Sequence, residues 1–134
     1  MLRATKEHYV VFFAIYILEK KDKMRKIDTL KKNYEFKNVL SKGKFYCGRY
    51  ITIYTEKNKI NKNVIGIAIS RKMGKAVRRN RLKRLIRESY RVQKNELKKG
   101  YNIVFLWNKN ADQKCKSTQV YEDMKKLFEK AGII

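Results

Sequence analysis

The stretch RRNRLKRLIRESYR, residues 78–91, gathers seven cationic side chains around one carboxylate, Glu88. Guanidinium and ammonium groups at this density suit the capture of a polyanion by charge and hydrogen bonding. At about 100° per residue, Leu82, Leu85, Ile86 and Tyr90 share one side of a helix, and Asn80, Arg84, Arg87 and Arg91 fall opposite. One side is core and the other is cation. Like charges three or four residues apart, as in Arg84/Arg87, Arg87/Arg91 and Lys83/Arg87, each cost a helix about 0.2–0.5 kcal/mol. A merely solvated face would interleave glutamate with lysine, so the spacing predicts a rail for a polyanion.

Other chemistry is scarce. A protein nuclease needs acids, bases or metal-binding carboxylates in register. This chain has one histidine, His8, and its acids are scattered. The adjacent Glu122 and Asp123 point to different sides of a helix. Cys47 and Cys115 form no CxxC pair and, with one histidine, no four-ligand zinc site, so both are read as free thiols. No GxxxxGK[ST] or GxGxxG loop occurs. No catalytic residue and no metal ligand is expected on the protein. Lys75, just beyond Gly74 and ahead of the basic helix, could serve a phosphate at the helix N-terminus.

The whole chain repeats this bias. Its 134 residues carry 35 Lys plus Arg against 12 Asp plus Glu, a net charge of +23, with 43% hydrophobic residues. That length suits one domain, and the patterned apolar content separates it from a basic tail. Nucleic acid is the first partner class to consider. The apolar run YVVFFAIYIL, residues 9–18, is shorter than the ~17–25 residues of a membrane span. EKKDK follows it with no small-x-small cleavage pattern, so it is no signal peptide. Residues 1–23 read as an extension ahead of a start at Met24, forming an apolar helix on a domain of residues 24–134. With two free thiols and no span, the expected compartment is cytoplasmic.

Elements must hold the basic face in place. NYEFKNVL reads as a short helix capped by Asn33, with Phe36, Val39 and Leu40 at helical spacing. KFYCGRYITIYTE alternates, with Tyr50, Thr52 and Tyr54 on one face and Ile51 and Ile53 on the other, as one or two strands broken at Gly48. KNKINKN is a polar turn, and VIGIAIS, 64–70, is a central strand. The basic helix runs from about Val77 to Asn95. YNIVFLW, 101–107, is another buried strand, and a last amphipathic helix runs from Ser117 to a stop at Gly132. The order is α-β-β-β-α-β-α, an α+β domain whose βαβ unit makes part of the sheet parallel. A right-handed crossover would follow from general rules.

SRKMGKAVRRNRLKRLIRESYR, residues 70–91, resembles the motif of the protein subunit of bacterial ribonuclease P. The resemblance rests on Ser70, Arg71, Lys72, Gly74, Ala76, Val77, the Arg79-Asn80-Arg81 triplet, Lys83, Arg84 and Arg87. LKKNYEFKNVLSKG and RYITIYT extend it, and residues 24 to about 131 are covered. It implies a mixed four-stranded sheet with a left-handed βαβ crossover, against the general rule, in the fold of the second domain of a small-subunit ribosomal protein. It implies that a separate RNA subunit is the catalyst and that the protein helps it bind precursor tRNA and metal ions while the 5′ leader is removed. The protein alone would bind no cofactor, and Mg2+ would serve the holoenzyme. By the same carry-over, Lys72, Lys75, Arg78, Arg79, Asn80, Arg81, Lys83, Arg84, Arg87 and Arg91 meet the RNA subunit. The leader lies in a cleft lined by Phe36, Leu40, Tyr50, Thr52 and Tyr54. Neither DNA nor a membrane is an expected partner. A helix-turn-helix reading lacks the preceding helix it needs; a ribosomal RNA-binding protein is the alternative that composition alone does not separate.

Overall fold

The computed structural model describes residues 27–134. The expected apolar helix in residues 1–23 and the start at Met24 lie outside the described residues. Helix α1 spans Asn33–Lys42. Its cap differs from the expected Asn33: Lys32 is the flanking residue, and the Glu35 carboxylate accepts the Lys32 backbone N–H at 3.0 Å. A first-turn acid thus satisfies the helix start, and Asn33 is already helical.

Strand β1 covers Lys44–Cys47 and β2 covers Ile51–Lys57. The turn between them is clamped by Asp123, whose carboxylate accepts the N–H groups of Arg49, Tyr50 and Ile51 at 2.9, 2.8 and 3.2 Å. Strand β3, Val64–Ala68, leads through a short 3-10 turn, Arg71–Met73, into α2, Ala76–Gln93. After a second 3-10 turn come β4, Tyr101–Trp107, and α3, Ser117–Ala131, which Gly132 ends in the left-handed conformation. The sheet order is β1-β2-β4-β3, so β3 is an edge strand and not the central strand expected. It is apolar on both faces because α1 and Leu30 cover one side, α2 the other, and residues 28–30 hydrogen-bond along its outer edge. β2 pairs antiparallel with β1 and β4, while β3 and β4 are parallel. The α+β class, the element order and the mixed sheet therefore stand as expected. β3, α2 and β4 form the crossover unit whose left hand the family resemblance implies.

Strand alternation divides the interior in two. Ile51, Ile53, Ile65, Ile103 and Phe105 face α2 and α3, meeting Leu82, Ile86 and Tyr90 from one and Val120, Met124, Leu127 and Phe128 from the other. Val64 and Val104 face the opposite way, toward Leu30 and Val39, with Phe36, Tyr54 and Leu106 half-buried beside them. Each fully buried large aliphatic contributes about 1.5–3 kcal/mol, so the larger cluster anchors the basic helix firmly to the sheet. The smaller one holds α1. Close approach of α1 depends on Gly66: a Cβ there would sit 2.5 Å from the Phe36 ring.

Candidate nucleic-acid interface

The basic helix is aimed by the segment before it. Ser70 Oγ accepts the Lys72 N–H at 3.2 Å, and Met73 is buried as a plug in the main core. Gly74, at φ 127, then turns the chain in a conformation that side-chain-bearing residues rarely adopt. Helix α2 begins two residues later with no acid in its first turn. Arg78 and Arg79 thus sit at the positive end of the helix dipole, which favours anions. Lys72, Lys75, Arg78, Asn80, Arg81, Arg84 and Arg87 are exposed; Arg79, Lys83 and Arg91 are half-buried. The opposite side of α2 is sealed by Leu82, Ile86 and Tyr90. The cationic face of the sequence is therefore a solvent face of the fold.

Two members of the triplet are more constrained than a free rail requires. Arg81 donates through Nη1 to the Gln113 carbonyl and through Nη2 to the Cys115 carbonyl, the latter at 3.4 Å. It ties α2 to the segment that precedes α3. The Arg79 Nε is buried and has no hydrogen-bond partner among the described residues. The Cys115 thiol is pushed up from its ordinary pKa, first by burial and then by the Asp112 charge. Such a group behaves as a packed thiol rather than a nucleophile. Cys47 is exposed, and both cysteines are free.

On the other side of the sheet, α1 leaves part of the floor open. Tyr54 is half-buried and its ring lies 5.7 Å from that of Phe45 on the neighbouring strand. Phe36 covers Gly66 with its ring, and Leu40, 37% exposed, lies one turn further along the helix. The Thr52 hydroxyl donates to Asn108 Oδ1 at 2.5 Å, and Asn108 Nδ2 donates to the Gly48 carbonyl at 2.7 Å. Phe36, Leu40, Thr52 and Tyr54 are thus gathered on one side of the sheet.

Tyr50 is not with them, which corrects the expectation that it shares their face. It lies in the turn before β2, where alternation does not apply, and its ring is buried in the main core 6.2 Å from Trp107. The Asp123 clamp on the turn's N–H groups fixes this arrangement. Conversely, Phe45 was not singled out in the sequence, yet it is 63% exposed and pairs in register with Tyr54. Only the strand pairing reveals it.

Among the described residues, no three or more His, Cys, Asp or Glu side chains gather as metal ligands. No helix there is long and apolar enough to cross a membrane.

Comparison with known proteins gives one answer at every level. A sequence model of the ribonuclease P family matches residues 24–132. The ribonuclease P protein component of Clostridium botulinum strain Langeland is 41% identical over 113 residues, covering 81% of this chain and 97% of that protein. That of Clostridium acetobutylicum is 40% identical over 111 residues, covering 81% and 92%. The RNase P protein of Staphylococcus aureus superposes with a TM-score of 0.72 at 30% identity, over 81% of this chain and 98% of that one. The Thermotoga maritima protein gives 0.70 at 30% identity, over 79% and 97%. With the motif, the fold and an exposed cationic helix in agreement, the chain belongs to the family of bacterial ribonuclease P protein components, the protein subunit of the endoribonuclease that matures transfer RNA.

Proposed function

We propose that the chain divides its two RNA contacts between opposite faces of the sheet. The α2 face, with Lys72, Lys75, Arg78, Arg79, Asn80, Arg81, Lys83, Arg84, Arg87 and Arg91, meets the catalytic RNA subunit. Phosphates there neutralise both the like-charge repulsion along the helix and the cations crowding its positive end. The α1 face, with Phe36, Leu40, Thr52 and Tyr54, holds the single-stranded 5′ leader of precursor tRNA; Phe45 extends its aromatic surface and Tyr50 takes no part. The observation that carries this reading is that one face is cationic and solvent-facing, while the other is an aromatic and hydroxyl floor left half-open beside α1. The first suits a phosphate backbone and the second suits unpaired bases.

Mg2+ serves the holoenzyme, and RNA phosphates and water are the oxygen ligands such an ion ordinarily takes. The protein's part is to bind and orient substrate and to screen charge. It works in the cytoplasm, with its RNA partner.

Tyr54→Ala in the reconstituted holoenzyme tests the division. Mature tRNA has no leader, so the variant should lose about 1–3 kcal/mol of affinity for precursor tRNA, one stacked base, while mature tRNA binding and assembly hold. A thermal melt confirms that the variant is folded. Equal weakening of both tRNAs, or of neither, overturns the cleft assignment.

A further inference from the structure

We infer that Asn108 decides what the Thr52 hydroxyl offers the leader: a hydrogen-bond acceptor, which only a donor on an RNA nucleotide completes. The inference deepens the cleft reading above and rests on it. Asn108 follows β4, and its backbone N–H donates to the Tyr50 carbonyl at 2.8 Å. The side chain is thereby held beside the turn between β1 and β2.

The direction of each hydrogen bond follows from the partners. Asn108 Nδ2 has the Gly48 carbonyl at 2.7 Å and the Ile51 carbonyl at 3.5 Å. Both are acceptors only, so the amide turns its NH2 toward them. Its Oδ1 then faces Thr52 Oγ1 at 2.5 Å. An amide oxygen carries no proton, so the hydroxyl must donate, and a threonine hydroxyl has a single proton to give. Whatever else meets Thr52 Oγ1 therefore has to donate to its lone pairs. Among the described residues the hydroxyl has no other hydrogen-bond partner. Left to rotate, it would suit a donor or an acceptor equally, and Asn108 removes that freedom.

Thr52 is placed to use this polarity. It is half-buried on the same side of the sheet as Tyr54, with Cys47 on β1 and Leu106 on β4 beside it in register. Tyr54 is two residues further along the strand, about 6.8 Å at ~3.4 Å per residue. A base stacked on Tyr54 thus brings itself or its neighbour to the hydroxyl. Cytosine and adenine present an exocyclic amine, whereas uracil, like thymine, presents a carbonyl at the corresponding position. The ribose 2′-OH also donates. Either donor completes the bonding of Thr52, while the uracil carbonyl sets acceptor against acceptor.

One experiment distinguishes the two donors and tests the role of Asn108. Holoenzyme reconstituted with wild-type, Thr52→Val, Thr52→Ser or Asn108→Ala protein is titrated with precursor tRNAs. These carry cytidine or uridine, and ribose or deoxyribose, at successive leader positions. Thermal melts confirm each fold. At one position the wild type should bind the donor-bearing nucleotide about 2- to 10-fold tighter, the worth of one net hydrogen bond. Thr52→Val and Asn108→Ala should lose that ratio and Thr52→Ser should keep it; a merely structural role would lower affinity for every leader alike. A ratio of cytidine over uridine assigns the donor to the base amine, and one of ribose over deoxyribose assigns it to the 2′-OH. No position-dependent ratio in wild type, or a ratio that survives Thr52→Val, overturns the proposal. A ratio lost in Thr52→Val but kept in Asn108→Ala overturns the part given to Asn108. Tyr54→Ala separates this failure from that of the cleft reading: if it spares precursor tRNA the cleft reading falls, and if it weakens precursor tRNA alone while no donor ratio exists, the present inference falls by itself.

Discussion

Replacing Arg81 by alanine should damage the fold as well as RNA binding, and Arg84→Ala should not. The Arg81 guanidinium bridges α2 to the Gln113 and Cys115 carbonyls, more than 30 residues away in sequence. A hydrogen bond to a charged donor contributes about 1.5–3 kcal/mol net. The Cys115 contact is long at 3.4 Å, and the side chain is exposed to competing water. A combined loss of about 1–2 kcal/mol is therefore reasonable, which for a domain of this size lowers the melting temperature by about 4–10 °C. Arg84 is exposed and has no hydrogen bond or ion pair among the described residues. Its removal relieves repulsion with Arg87 worth about 0.2–0.5 kcal/mol, so its melting temperature should hold or rise slightly. Thermal unfolding of the free protein reads the first effect, and titration with ribonuclease P RNA reads the second, where both variants should weaken assembly. An Arg81→Ala protein that melts with wild type, or an Arg84→Ala protein that melts well below it, would refute the separation of roles.

Two further predictions test the packing around the interface. Gly66→Ala would bring a Cβ within 2.5 Å of the Phe36 ring and 3.1 Å of Leu30. Such overpacking costs about 1–3 kcal/mol and should appear as an earlier thermal melt with weaker leader binding; an unchanged melt would contradict the close approach of α1. The Tyr90 phenol is pushed up to about 12, first by burial and then by the negative charge of Asp28. The folded state therefore holds that proton more tightly than the unfolded chain, so this contribution is complete below pH about 10 and is lost as pH rises toward 12. It amounts to at most about 3 kcal/mol. Tyr90→Phe should lose less stability than wild type between pH 9 and about 11.5 in denaturant titrations, and equal losses would show that Tyr90 is not the group responsible.

Local periodicity made much of this legible from residues alone. The alternation of ITIYT, the apolar run of YNIVFLW and the spacing of Leu82, Ile86 and Tyr90 each report a burial pattern that the fold then satisfies. The α2 face was readable because helical phase alone sorts its core and solvent sides. Features set by long-range pairing were not readable. Tyr50 has the right parity for the cleft, but a turn clamped by a residue 73 positions away sends its ring into the core. Phe45 joins Tyr54 only through strand register. Arg81 looks like any other cation of the rail until the segment before α3 folds against it.

As a ribonuclease P protein component, this chain serves an RNA catalyst and is expected to carry no active site of its own. Cleavage of a labelled precursor tRNA tests it most directly, at physiological salt and low magnesium, with the protein alone, a bacterial ribonuclease P RNA alone, and the two combined. The substrate should stay intact with the protein alone, be cleaved little by RNA alone, and release its 5′ leader when both are present. Robust cleavage by RNA-free protein that survives repurification, or no gain when protein joins the RNA, would contradict it.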